Sequence, residues 1–396
     1  MSAHPPLHIH HSTSTILFIT LLVIVAATFA LVPHAYGLSS IPLGSVTGVS
    51  DPITCSSVNS AFYEGMNCYG ATVSCPNTDD IGVTFGYLGP TGGGGSNGTI
   101  VFFAGSDGTS PYMDGGHYYA GAYVSSYTIV QFEWASAWEK ASPSGTYPDS
   151  ILAAACRPAT LLYYFNNNSA IHSSSKAMCA QGSSAGSAAI AYAMSWYGAA
   201  GGSSGYLKNV ELQSGPVLSE IDQGCYTKAL APVLTLCNST SFCTTATQAE
   251  AAGGAWMDSA WYTANDETAI NGWTAPLTGC GTSSGAGNLS TWQGMSIVDG
   301  SYSSVTPVFS FGSGVYKHGW LCYGYQSGTC TTNCPNNSAA QGYYWYEALN
   351  GASDLNFKVT GTQLCDNAEG VSEGTDPDST GSEELAIAND MKSFCQ

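Results

Sequence analysis

The run Lys176-Ala-Met-Cys-Ala-Gln-Gly-Ser-Ser-Ala-Gly-Ser-Ala-Ala-Ile-Ala-Tyr-Ala-Met-Ser-Trp196 constrains the fold more than any other stretch of the chain. Residues 177–181 are short and largely apolar, residues 188–196 form an apolar helix former free of Pro and Gly, and only small residues lie between. The pattern predicts a strand, a tight turn and a helix. Gly182, Ser184 and Gly186 fit G-x-S-x-G, in which small flanking residues let a strained turn push the serine hydroxyl clear of the backbone. The following helix would aim its N-terminus at that hydroxyl, where backbone N–H groups can stabilise a developing oxyanion, so Ser184 is the candidate nucleophile. A plainer explanation is a Gly/Ser turn that packs a helix closely onto a sheet. The flanking strand and helix patterns favour the nucleophile, because they supply the context that the motif requires.

A chain of 396 residues can bury a substantial core in one large α/β domain or two smaller ones. Residues 16–32 are almost unbroken apolar sequence, followed by Pro33-His-Ala-Tyr-Gly37, which resembles a secretory h-region with a small-residue cleavage site. The preceding residues carry His4, His8, His10 and His11 but no Lys or Arg, so an uncleaved anchor is the alternative for residues 1–37. The expectation is a secreted protein. All 14 cysteines follow that segment, and their even number fits disulfide bonding in an oxidising compartment. No CxxC pair occurs and His318 is the only histidine near a cysteine cluster, so no metal or cofactor is expected. Sequons at Asn97, Asn167, Asn238, Asn288 and Asn336 suit a glycosylated secreted protein.

Charged residues make up only 9% of the chain and the formal net charge is −19. Arg157 and seven lysines are the only strong bases. This balance argues against nucleic acid and anionic membranes as partners. A surface with few ion pairs loses little when carboxylates protonate, which suggests adaptation to an acidic exterior. Drift toward a neutral, glycan-covered surface explains the composition equally well.

Strand patterns fall at residues 82–86, 99–105, 127–134, 177–181, 210–213, 307–311 and 355–359. Helical patterns fall at 150–165, with a kink at Pro158, and at 187–196, 339–349 and 383–394. Their alternation predicts a mainly parallel sheet with helices on both faces. Residues 217–300 interrupt the alternation with a cysteine-rich stretch holding Trp256, Trp261, Trp273 and Trp292. They read as a disulfide-rich cap inserted between two parts of the core, 38–216 and 301–396. Its aromatic residues would line a pocket or give a small lobe its own core.

The stretch Thr99-Ile-Val-Phe-Phe-Ala-Gly-Ser-Asp-Gly108, the turn at Ser184, Glu211-Leu-Gln-Ser-Gly-Pro216 and Thr306-Pro-Val-Phe-Ser-Phe-Gly312 together resemble the α/β-hydrolase family in order and spacing. The resemblance runs from about Gly82 to the C-terminus, apart from the insertion. It implies an α/β-hydrolase-like fold, one oxyanion donor at the Ala185 backbone N–H and another within residues 105–108, placed at Ser106, and a triad ordered Ser, acid, His.

The chain departs from that triad at both later positions. No acid follows Phe311 in the expected turn, and no histidine follows Val359. An imidazole base would have to come from His117, His172 or His318. His318 lies near a strand's carboxyl end, where crevices of open α/β sheets form, His117 lies in the loop after the oxyanion strand, and His172 reads as a solvated loop residue. At acid pH a carboxylate is the better base, and Asp366 stands roughly where the histidine is missing, with Glu369 close by. Glu220 and Asp222 are the nearest supporting acids in chain order.

These features predict a serine hydrolase that cleaves a carboxylic ester through an acyl-enzyme, with an ester-type small molecule or polymer as substrate. A serine peptidase is the nearest enzymatic rival. An extracellular binding protein that keeps the turn but has lost catalysis is the rival from another class.

Overall fold

The computed structural model describes residues 41–105, 108–112, 118–139, 151–201, 205–213, 215–216, 218–220, 293–301, 305–309, 345, 348–349 and 382–396. The strands are β1 (Ser45–Thr47), β2 (Ile53–Thr54), β3 (Asn67–Cys75), β4 (Thr78–Leu88), β5 (Gly98–Phe103), β6 (Thr128–Trp134), β7 (Ala177–Ser183) and β8 (Leu207–Gln213). The helices are α1 (Tyr118–Tyr123), α2 (Ile151–Ala154), α3 (Cys156–Asn167), α4 (Ala185–Ser195) and α5 (Ser382–Phe394).

All eight strands share one sheet in the order β1-β3-β4-β6-β5-β7-β8, with β2 beside β3. Strands β6, β5, β7 and β8 run parallel, whereas β4 lies antiparallel between β3 and β6. This is the mixed sheet of the α/β-hydrolase fold, with antiparallel pairing confined to the side away from β7. Helices α3 and α4 cover one face, and α1 and α5 cover the other.

Two-sided burial explains why the central strands read as continuous apolar runs. Every residue of β5 is buried. Val101 and Phe103 point into the core beneath α3 and α4, while Ile100 and Phe102 point into the core beneath α1 and α5. Strand β6 divides likewise, with Val130, Phe132 and Trp134 on the first face and Ile129 on the second.

Helix α4 is buried along its whole length. Its Ala, Gly and Ser residues keep it narrow enough to lie directly on β7, and its outer side is covered by residues 293–301. Tyr192 Oη donates to Met295 O at 2.7 Å and Trp196 Nε1 to Ile297 O at 3.0 Å. Ile297 and Val298 N–H groups in turn donate to Leu218 O and Ser219 O, each at 3.0 Å. The chain segments on either side of 221–292 are thus hydrogen bonded to one another.

The helix expected at 150–165 is broken at Ala155, three residues before Pro158. Pro158 has no N–H to donate to Ala154 O, so the break falls one turn ahead of the proline and places it in the first turn of α3. Residues 306–309 form no strand. Pro307 cannot donate and the Val308 N–H is taken by Ser195 O at 2.8 Å, which corrects the described part of the strand expected at 307–311. The strand at 355–359 lies outside the described residues, as does most of the helix at 339–349.

Three disulfides join Cys55 to Cys68, Cys75 to Cys156 and Cys179 to Cys395. The last ties the residue that follows α5 to β7. Arg157, the only arginine in the chain, is buried. Its guanidinium donates to Trp138 O at 2.8 Å and to Asp79 O at 2.9 Å, so it fastens α3 to the start of β4 and to the chain beyond β6.

Candidate active site

Ser184 occupies the single residue between β7 and α4, with φ 52° and ψ −122°. An L-residue reaches such torsions only under constraint, at a cost of about 1–3 kcal/mol. The constraint comes from the two glycines that flank it. A Cβ on Gly182 would stand 2.7 Å from Gly186 C, and one on Gly186 would stand 2.6 Å from Ala104 O. Strand, turn and helix therefore approach more closely than any side chain allows. Among the described residues only Ser184 and Leu218 combine a side chain with positive φ.

The serine makes no side-chain cap for α4, and the turn is braced through its carbonyl instead. Ser187 Oγ donates to Ser184 O at 2.5 Å and the Ala188 N–H donates to it at 3.1 Å. Ala188 thus makes the first helical bond, and helix geometry leaves the N–H groups of Ala185, Gly186 and Ser187 without an acceptor inside α4. They collect the positive end of the helix dipole beside Ser184.

The loop after β5 passes over this turn. A Cβ on Gly105 would stand 3.2 Å from Ser184 Cβ. Gly108, at φ +71°, anchors the far side of the loop, with its N–H on Gly105 O at 3.2 Å and its carbonyl accepting from Trp134 N–H at 2.9 Å. Any side chain at Gly108 would meet Trp134 Cδ1 at 2.8 Å. Ser106 lies outside the described residues, although Gly105 beside it in sequence sits against the serine.

Of the three histidines considered as a base, His117 and His318 lie outside the described residues, as do Asp366, Glu369 and Asp222. His172 is described, and it corrects the expectation of a solvated loop residue. It is buried, with its ring Nδ1 3.1 Å from Thr99 Oγ1 and its backbone N–H donating to Asn168 O at 2.8 Å. Burial pushes its pKa below the ordinary imidazole value. Thr99 pairs with Met178 at the start of β7, six residues before Ser184, which is roughly 20 Å of strand. His172 therefore belongs to the opposite end of the sheet from the serine.

Glu220 lies beyond the carboxyl end of β8, the strand beside β7, and is buried. Sequence reasoning missed a second group of polar side chains beneath the turn. Tyr123 Oη donates to Gln181 Oε1 at 3.0 Å, and Asn209 Nδ2 donates to Glu211 Oε1 at 3.2 Å. Gln181 and Glu211 are register partners on β7 and β8, and both are completely buried. Burial, with the nearby Glu211 as a lesser cause, holds the Tyr123 phenol well above its ordinary pKa. The available signal was the period of two in Asn209 and Glu211, which places both on one face of a strand. Among the described residues no group of three His, Cys, Asp or Glu side chains is arranged to hold a metal.

A mixed sheet in this strand order, with a strained serine between β7 and a buried helix, defines the α/β-hydrolase fold. No protein-family model and no curated protein sequence matches the chain. Similar solved structures include an acetyl xylan esterase from Paenibacillus sp. R4, at 10% identity and TM-score 0.43, covering 98% of this chain and 96% of that one. A bacterial heroin esterase has 12% identity and TM-score 0.43, covering 96% of this chain and 92% of its own. Brefeldin A esterase, a bacterial homologue of human hormone sensitive lipase, has 13% identity and TM-score 0.40, covering 99% and 86%.

Proposed function

We propose that the protein is a secreted serine hydrolase that cleaves carboxylic esters through an acyl-enzyme on Ser184. The observation that carries this reading is the positive φ of Ser184. A turn that served only to pack α4 against β7 could place Gly at this position and avoid the strain, whereas a nucleophile must keep its hydroxyl there.

Ser184 Oγ would attack the ester carbonyl while a base takes its proton. The tetrahedral oxyanion would be held by the Ala185 N–H and a donor near Ser106. Collapse would expel the alcohol, which takes the proton from the base, and water would then release the acid by the same steps. His318 is the candidate imidazole base and Asp366 the candidate carboxylate base. Glu220, buried next to the nucleophile strand's neighbour, is the candidate supporting acid for the imidazole route. The insertion at 217–300 is proposed as a cap. The hydrogen bonds from 297–298 to 218–219 support this, because an insertion leaves and rejoins a core at adjacent points.

The test is labelling by a fluorophosphonate probe across a pH series, with Ser184→Ala as control and the modified peptide mapped by mass spectrometry. Labelling of Ser184 near neutral pH supports an imidazole base, and labelling confined to acid pH supports a carboxylate. A folded protein that is never labelled would overturn the hydrolase reading in favour of a binding protein.

A further inference from the structure

Tyr163 is 45% exposed on the outer side of α3, and its ring lies 5.8 Å from that of Tyr206. Four residues further on, at the last position of the helix, Asn167 is also exposed. Residues four apart share a helix face, and here the contact is direct, since Asn167 Nδ2 donates to Tyr163 O at 2.8 Å. Asn167-Asn168-Ser169 is a sequon. Its Ser169 is exposed, and the chain leaves the helix at Asn168 in an extended conformation.

We propose that Asn167 carries an N-linked glycan whose first sugar lies over the rings of Tyr163 and Tyr206. The inference rests on export, not on the hydrolase chemistry. The sugar would arrive on a lipid-linked pyrophosphate oligosaccharide of a eukaryotic secretory pathway. Asn167 Nδ2 bonds to the anomeric carbon, the carbon–oxygen bond to the pyrophosphate breaks, and the lipid pyrophosphate leaves with that electron pair. The amide gives up one of its two protons. The proton that remains can still be donated to Tyr163 O, so the modification preserves the observed bond.

The apolar face of a pyranose is suited to an aromatic surface, and the exposed Tyr163 ring offers one where a helix would ordinarily show a polar side chain, with the half-buried Tyr206 ring tilted by 59° beside it. α3 returns from the carboxyl end of β6 to the amino end of β7, so Asn167 lies at the end of the sheet away from Ser184. A glycan there leaves the serine open.

The full chain would be secreted from a eukaryotic host and digested with peptide N-glycosidase in heavy-oxygen water. The expected result is Asn167 converted to Asp with the heavy label, absent in Ser169→Ala. Hydroxyl-radical footprinting should then show Tyr163 oxidised severalfold faster after glycan removal and in Ser169→Ala, while Tyr163→Ala remains glycosylated. Unmodified Asn167 in the secreted, folded protein would overturn the proposal. So would a glycosylated Asn167 whose deglycosylation leaves Tyr163 oxidation unchanged.

Discussion

Replacing Ser184 by Gly and by Ala tests the strain at the turn separately from the chemistry. Both variants lack the hydroxyl, so neither can form an acyl-enzyme and only stability distinguishes them. Ala keeps the Cβ and with it the cost of φ 52° and ψ −122°. Without strain, changing Ala to Gly costs roughly 0.5–1 kcal/mol of chain entropy and about 0.8 kcal/mol of buried carbon. Release of the strain returns roughly 1–3 kcal/mol. The Ser184→Gly variant is therefore expected to fall between about 0.8 kcal/mol below and about 1.7 kcal/mol above Ser184→Ala in stability. Urea unfolding followed by tryptophan fluorescence, with disulfides intact, gives the difference from the two midpoints if the slopes agree. A Gly variant less stable than the Ala variant by more than about 1 kcal/mol would show an unstrained residue, and would remove the main support for the nucleophile.

Gly186→Ala places a Cβ 2.6 Å from Ala104 O and should destabilise by about 1–3 kcal/mol. It should also abolish fluorophosphonate labelling under conditions where circular dichroism still shows a folded protein. Removing the Cys179–Cys395 disulfide by a double alanine substitution opens a separation of 216 residues and should cost about 2–4 kcal/mol in the same urea assay. His172 has a folded-state pKa lowered by burial, so below about pH 6.5 the unfolded chain binds a proton that the folded chain does not. Its contribution is present above that pH and is lost as pH falls through the lower folded value. His172→Asn should flatten the fall in stability over this window, as followed by thermal unfolding from about pH 7 to about pH 5. An unchanged slope would show that His172 does not titrate with unfolding.

The parts legible in the sequence are those whose burial is two-sided. β5, β7 and α4 are sealed by both layers, so their apolar runs have no polar face to obscure them, and the small residues at 182–186 mark the turn. β3 is not legible in this way, because Asn67-Cys-Tyr-Gly-Ala-Thr-Val-Ser-Cys75 has one partly exposed face and carries Gly and Asn within the strand. The error at His172 has a different origin. Its neighbours Asn166 to Ser169 and Ser173 to Ser175 are polar, but the hydroxyl that engages it comes from Thr99, 73 residues away, and no local window contains that contact. The polar group of Tyr123, Gln181 and Glu211 is hidden for the same reason, since it is assembled from α1, β7 and β8. For the base and the second oxyanion donor the sequence offers alternatives, and His318, Asp366 and Ser106 all lie outside the described residues.

The bond between Cys179 and Cys395 also sets an order of events during synthesis. At roughly 5–20 residues per second, the 216 residues between them take roughly 10–40 s to make. For that time β7, the strand that leads into Ser184, has a thiol and no native partner for it. Eight further cysteines, from Cys225 to Cys365, emerge during the interval, and each can capture Cys179 before Cys395 exists. In the native protein Cys179 is completely buried, so a wrong partner there would hold apart the two layers that close over it. The yield of active protein should thus depend on how quickly its host reshuffles disulfides, more than on how quickly it translates.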